Sequence, residues 1–383
     1  MKKNLFILAV AGLALASCSS DETIATSQAS NEISFRPLMT GVTRASSVAD
    51  VTTGNLSTFT VNAMLANSET SYFTDNFTGS SGNPYVSTIP HYWPATESLD
   101  FYAYAPAGNS QVTYTNYKTF TVIPTAGTDP ASQVDLVYAA TKGKNRSSSS
   151  AGVALNFRHT GAKIVCKVIN SSATLKFGVE GWKVGYLSPQ GTFVFADTNT
   201  DGNNTGSGTT LSFSQWPPGG TKAYSVEYAS TFTKKTIAVS TTSTAEKLDG
   251  EFILIPQRIT AATAYANGGS AAVGDKINNT FIAVKLYALD NVNNTLIAGG
   301  GTTGSPTTIW AIWPIGDDGG TTPFNWEPGK QYTYTIDLAG CGYYETNQDS
   351  NADLDPLLED AIIKFVNVSV DNWTEVAKSV PQS

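Results

Sequence analysis

Residues 153–169, VALNFRHTGAKIVCKVI, hold two period-two patterns separated by a Thr-Gly pair. Val153, Leu155 and Phe157 fall on one face of the first pattern, and Ile164, Cys166 and Val168 on one face of the second. Successive side chains of a pleated chain point to opposite sides, so each half predicts a strand with one apolar face and the Thr-Gly pair predicts the turn.

The same pattern repeats outward in both directions. NEISFR (31–36) places Ile33 and Phe35 on one face and Ser34 and Arg36 on the other, and the strand is expected to stop at Pro37. STFTVNAML (57–65) alternates Phe59, Val61 and Ala63, and SLDFYAYAP (98–106) alternates Leu99, Phe101, Ala103 and Ala105 against Tyr102 and Tyr104. YKTFTVIP (117–124) and QVDLVYAA (133–140) continue the series. TKGKNRSSSSAG (141–152) then interrupts it with charge, serine and glycine, which predicts a linker near residues 142–151. Downstream of Val153 more strands are expected, among them GWKVGYL (181–187), EFILIP (251–256), TFIAVKLYAL (280–289), TTIWAIWP (307–314) and QYTYTIDL (331–338). They are short and turn-bounded, with no fixed repeat period, which favours sandwiches over solenoids or propellers.

Composition agrees with an all-β chain. Of 383 residues, 41% are hydrophobic and only 14% charged, which suits a protein with a large core. Length favours two domains over one. The net charge is −8, falling to −10 if Lys2 and Lys3 leave with a leader, so no basic face is expected for nucleic acid. Two histidines, His91 and His159, and three cysteines, Cys18, Cys166 and Cys341, offer little for metal or triad chemistry. No catalytic residue, metal site or cofactor is predicted.

The leader MKKNLFILAVAGLALASCSSDE has a basic start, an apolar run from Leu5 to Ala14 and a lipobox, Leu15-Ala16-Ser17-Cys18. The run is too short for a spanning helix, whereas a lipobox cysteine carries acyl chains that anchor through their buried CH₂ groups. Residues 1–17 are therefore expected to be a lipoprotein signal peptide and Cys18 the lipidated first residue. The SSDE that follows resembles the export tag that carries lipoproteins of Bacteroidota to the outer face of the outer membrane.

LDFYAYAP (99–106), VDLVYA (134–139), VALNFRHTGAKIVCKV (153–168), FILIPQ (252–257), WEPGKQYTYTIDL (326–338) and VNVSVDNW (366–373) follow one another in an order similar to the landmarks of the fimbrillin-like (Mfa-like) lipoproteins of Bacteroidales. The resemblance spans about residues 31–373. It implies two transthyretin-like β-sandwich domains in tandem and a structural or adhesive subunit of type V pili. The expected map is a tether and removable strand over 18–44, a first sandwich over 45–145 with strand 31–42 packed on it before cleavage, and a second sandwich over 150–376. The expected partners are other fimbrial subunits by strand exchange, the outer membrane through the precursor's lipid, an arginine-specific protease, and a host or bacterial surface ligand. The expected location is the outer membrane surface, then the fimbrium after processing.

MTGVTRASSVAD (39–50) sets Arg44 among small polar residues, downstream of the Ile33/Phe35 strand. Accessible segments of this kind are where proteases cut, and the resemblance implies cleavage between Arg44 and Ala45. The bond would couple membrane release to loss of the strand that carries Ile33 and Phe35, exposing an edge and groove that a neighbour's strand fills. Head-to-tail repetition then gives a filament. The tail TEVAKSVPQS (374–383) offers only Val376, Ala377 and Val380 before Pro381, a meagre donor strand. Stalk and tip roles both stay open.

The remaining motifs read as structural. DTNTDGN (197–203) resembles the start of a calcium loop, but its twelfth position is Gly208, not glutamate, so a polar hairpin loop is expected. A surface glycan-binding lipoprotein is the alternative function, and it predicts tryptophans exposed on one face. Trp93, Trp216 and Trp313 each precede proline, which points to packing at strand ends instead. His91 and His159 are expected to be buried and hydrogen-bonded. Cys166 is expected to pack as a small hydrophobe, with a disulfide to Cys341 left open.

Overall fold

The computed structural model describes residues 31–39, 56–80, 85–116, 119–122, 133–188, 191–194, 226–259, 280–315, 324–340, 343–345, 354–356 and 367–372. Among them the chain is all-β, with 3₁₀ turns at Ser147–Ser149 and Leu338–Gly340 and no α-helix. The first nine strands are β1 (Phe35–Met39), β2 (Thr58–Leu65), β3 (Ser71–Thr78), β4 (Val86–Ser87), β5 (Leu99–Ala105), β6 (Val112–Asn116), β7 (Thr119–Val122), β8 (Val137–Lys144) and β9 (Val153–His159). Next come β10 (Ala162–Asn170), β11 (Leu175–Leu187), β12 (Gly191–Val194), β13 (Val226–Ile237), β14 (Thr241–Lys247), β15 (Phe252–Leu254) and β16 (Arg258–Ile259). The last ten are β17 (Phe281–Asp290), β18 (Leu296–Ala298), β19 (Gly300–Thr302), β20 (Ser305–Thr307), β21 (Ile309–Pro314), β22 (Phe324–Asn325), β23 (Lys330–Asp337), β24 (Tyr343–Glu345), β25 (Leu354–Pro356) and β26 (Asn367–Asn372).

A first sheet of seven strands runs β1-β9-β8-β5-β2-β3-β4. Its inner face carries the alternating set read from the sequence: Phe59, Val61, Ala63, Leu99, Phe101, Ala103, Val153, Leu155 and Phe157 are all buried in one cluster. The opposite face is covered as well. Tyr102 and Tyr104 are buried there with Leu136 and Tyr138 under a small sheet, β12-β7-β6. Phe193 of β12 packs 5.0 Å from the Tyr138 ring, so a strand from beyond residue 190 returns to cap this sheet.

A second core lies between two further sheets, one with the order β14-β10-β23-β26 and β15 paired to β10, the other running β13-β11-β17-β21-β24-β25. Ile164, Cys166 and Val168 face Phe177, Trp182, Val284 and Leu286 across it. Trp182 and Phe252 meet with ring centroids 4.5 Å apart. The two halves of the 153–169 stretch thus divide. β9 pairs with β8 and β1 in the first sheet, and β10 pairs with β23, β14 and β15 in the second core. The Ser/Gly-rich stretch 145–152 joins two antiparallel strands of one sheet, and the chain changes sheets at Thr160–Gly161. Thr160 is fixed by its N–H and Oγ1, each 2.9 Å from the Leu136 carbonyl.

Candidate functional site

The N-terminal segment is built into the first sheet along both of its flanks. Phe35–Met39 runs parallel to Val153–Phe157, and Val153 N–H donates to the Ser34 carbonyl at 2.8 Å. On the other flank, Ile33 N–H donates to the His91 carbonyl at 2.7 Å, and antiparallel bridges join Glu32 to Tyr92 and Phe35 to Tyr85. Tyr85 immediately precedes β4, the far edge strand of the same sheet. The segment therefore closes the sheet on itself, supplying partners to two edges that would otherwise present unpaired N–H and C=O groups. The strand continues through Pro37 instead of stopping there, because an edge proline loses only a donor that the ladder does not need.

Ile33 and Phe35 are each 3% exposed, and Arg36 is exposed, as period two requires. Phe35 sits edge-on to Phe77, Phe101 and Phe59, with centroids at 4.6, 5.3 and 6.1 Å. Full burial of two such side chains contributes about 1.5–3 kcal/mol each. Gly152 lets the β9 edge approach: its φ is +87°, and a Cβ there would lie 3.2 Å from Ser34 Oγ. Under the opposite flank the His91 ring stacks on Phe73 at 3.9 Å, and its Nε2 lies 2.8 Å from Asp75 Oδ2. The flank 85–93, YVSTIPHYW, is irregular and carries no alternation; its density of aromatics beside a proline is the signal it does carry.

Cys18, Arg44 and Ala45 lie outside the described residues, as do the 197–203 loop, Cys341, Trp216, Trp373 and the tail. His159 is buried with Nδ1 2.9 Å from Asp135, and the Cys166 thiol is free and fully buried, with burial pushing its pKa up. Trp93, Trp182, Trp313 and Trp326 are buried core residues. Trp310 is half-buried under the Lys183 ammonium, 4.9 Å from its ring. These five form no exposed sugar platform. Among the described residues no group of His, Cys, Asp and Glu could hold a metal.

The fimbrillin-like family model matches residues 43–373, and the chain belongs to that family. The family is fimbrial and not enzymatic. No curated protein matches the sequence. Among solved structures, a fimbrial protein from Bacteroides vulgatus is similar at a TM-score of 0.50 and 14% identity, covering 89% of this chain and 99% of its own. A fimbrilin from Porphyromonas gingivalis reaches 0.42 at 11% identity, over 90% and 98% of the two chains. The tip fimbrial protein Mfa3 from the same organism reaches 0.38 at 10% identity, over 85% and 98%.

Proposed function

We propose that this fimbrial protein is a pilus subunit or adhesin assembled by strand exchange, and that residues 31–42 are the strand exchanged. The observation that carries the reading is the position of Ile33 and Phe35. A segment next to the N-terminus, held by one row of backbone bonds per flank and two core side chains, is the part of the sheet that one cut would detach. The vacated groove would offer two unpaired edges around Phe59, Phe77 and Phe101, and a strand with alternating apolar residues from another subunit fits it.

The cut is assigned to Arg44–Ala45. Of the other four arginines, Arg36 precedes proline, Arg158 and Arg258 lie within paired strands, and Arg146 caps a 3₁₀ turn whose Ser148 N–H is held by Asn145 Oδ1 at 2.9 Å. In this reading Cys18 carries the lipid of the precursor at the outer membrane, residues 1–17 are its signal peptide, and 18–44 leave on cleavage. The mature protein is two transthyretin-like sandwiches, with the change of domain at Thr160–Gly161. The test is to treat purified precursor with an arginine-specific protease and sequence the new N-terminus. Ala45 as first residue, with a ladder of polymer, supports the mechanism; an intact Arg44–Ala45 bond, or polymer formed equally by Arg44→Ala, overturns it.

A further inference from the structure

The face of the first sheet opposite the Phe35 seat carries a cavity of about 390 Å³ at the end where β2 turns into β3. Two β-bulges shape it. Between Ala63↔Phe73 and Met64↔Ser71 the register slips, leaving Tyr72 as an extra residue in β3. Between Leu99↔Lys144 and Phe101↔Thr141 it slips again, so that Lys142 and Gly143 together oppose Asp100. A bulge bends its strand and re-aims side chains, and here two of them flank the β2–β5 pair at one end.

The β8 bulge is pinned: Gly143, at φ +64°, donates its N–H to Asp100 Oδ1 at 2.7 Å. Asp100 is 8% exposed and lines the cavity. Lys142 Nζ lies 5.7 Å from the Tyr102 ring centroid, within cation–π reach. Across the cavity the turn brings Asn67, held at φ +57°, and the exposed Glu69. Two carboxylates, one ammonium and one carboxamide thus line one cavity, and among the described residues no ion pair joins them.

We infer that this cavity binds a neutral, hydroxyl-rich sugar, the terminal residue of a surface glycan. The volume lies in the range of small-ligand sites. Carboxylates accept from sugar hydroxyls while Lys142 and Asn67 donate to hydroxyl or ring oxygens, and charge-assisted hydrogen bonds are the strong ones. An apolar ligand would leave these groups unpaired, and an anionic sugar would meet two carboxylates against one ammonium. Because Leu99 and Phe101 face the Phe35 core while Asp100 and Tyr102 face the cavity, strand exchange and sugar binding use opposite sides of one sheet. The inference does not depend on strand exchange.

The test is ligand-observed NMR titration of the full chain with galactose, mannose, N-acetylglucosamine and lactose, with sialyllactose as the anionic arm. Saturable binding of a neutral sugar is expected, weakened about tenfold in Glu69→Gln and in Lys142→Ala at unchanged thermal stability. Asp100→Asn is a poorer probe because Asp100 also holds the bulge, whereas Glu69 is exposed and the contact Lys142 makes is with the Tyr102 ring. Absence of saturation by every neutral sugar, equal binding by both variants and wild type, or binding of sialyllactose alone overturns the assignment.

Discussion

The two cores of this protein are filled by different chemistry. Around Phe35 the first core is phenylalanine against phenylalanine, with Phe59, Phe77 and Phe101 within 6.1 Å and no hydrogen bond from any of those rings. The second core is tied by polar tips. Trp182 Nε1–H donates to the Asp249 carbonyl at 2.9 Å, Trp326 Nε1–H to Tyr334 Oη at 2.9 Å, and Tyr332 Oη–H to the Asn325 carbonyl at 3.1 Å. Trp313 is the exception, its buried Nε1–H having no partner. Apolar contact is non-directional, so another strand of suitable volume can replace the N-terminal one. Directional bonds would be left unmade by any substitute. The Phe35 seat makes none itself, and the nearest such bond of the first core, from Tyr85 Oη–H to the Leu56 carbonyl, lies beside it.

The largest expected effect tests the first half of that contrast. Phe35→Ala should cost about 3–5 kcal/mol in urea unfolding, since it opens a cavity among three rings that cannot collapse onto alanine. An excess of a peptide of residues 31–42 should recover part of the loss by displacing the variant's own segment. A cost below about 1 kcal/mol would mean that the segment lies on the sheet without holding it.

Alkaline pH should strike the second core harder. Burial pushes the Tyr332 phenol up to about 12, and raises Tyr228 and Tyr334 of the same core and Tyr85 of the first. Unfolded phenols ionise near 10, so between about 10 and about 12 the unfolded state binds fewer protons than the folded one. Stability is then fully present below about pH 10 and falls as pH rises through that window. Denaturant midpoints taken on either side of pH 10 measure it, with phenolate absorbance reporting when the buried rings ionise. A flat profile would show that these phenols reach solvent without unfolding.

How much of this was legible beforehand depended on range. The inward set of β5 and β9, and Ile33 with Phe35, follow from period two because alternation is local. The sheet to which β9 belongs does not: Val153, Leu155 and Phe157 would alternate identically in either sheet, and only pairing with Val137–Tyr138 and with β1 decides it. Tyr102 and Tyr104 read as an outer face and are buried because β12, far along the chain, returns to cover them. The sugar cavity was illegible for a related reason. A bulge is one residue of register between two strands, and neither strand carries that offset alone.

Tyr334→Phe sharpens the second half of the contrast at smaller scale. It removes the hydroxyl that accepts from Trp326 and leaves a buried indole N–H unpaired, at about 1–3 kcal/mol. Trp326→Phe in the same background should cost less than it does in wild type, as a double-mutant cycle reads out coupling. Additive losses would place the stability of this core in packing alone.

The smallest effect concerns the start of the N-terminal segment. Asp75 is 27% and His91 17% exposed by side chain, so their 2.8 Å contact contributes under about 1 kcal/mol. Its place matters more than its size. The imidazole is held between Asp75 and the Phe73 ring, and the same residue's carbonyl receives the Ile33 N–H that fixes the inner end of the segment. Asp75→Ala removes the partner without touching a core side chain. Global unfolding should shift by less than about 1 kcal/mol, while hydrogen exchange at the Ile33 amide should quicken and exchange at Ile164 and Val284, deep in the second core, should not. Local opening that reaches Ile33 and spares the second core would show that the strand detaches as its own unit. Equal acceleration at all three amides would instead mean that the two cores open together, and exchange would then require unfolding the whole protein.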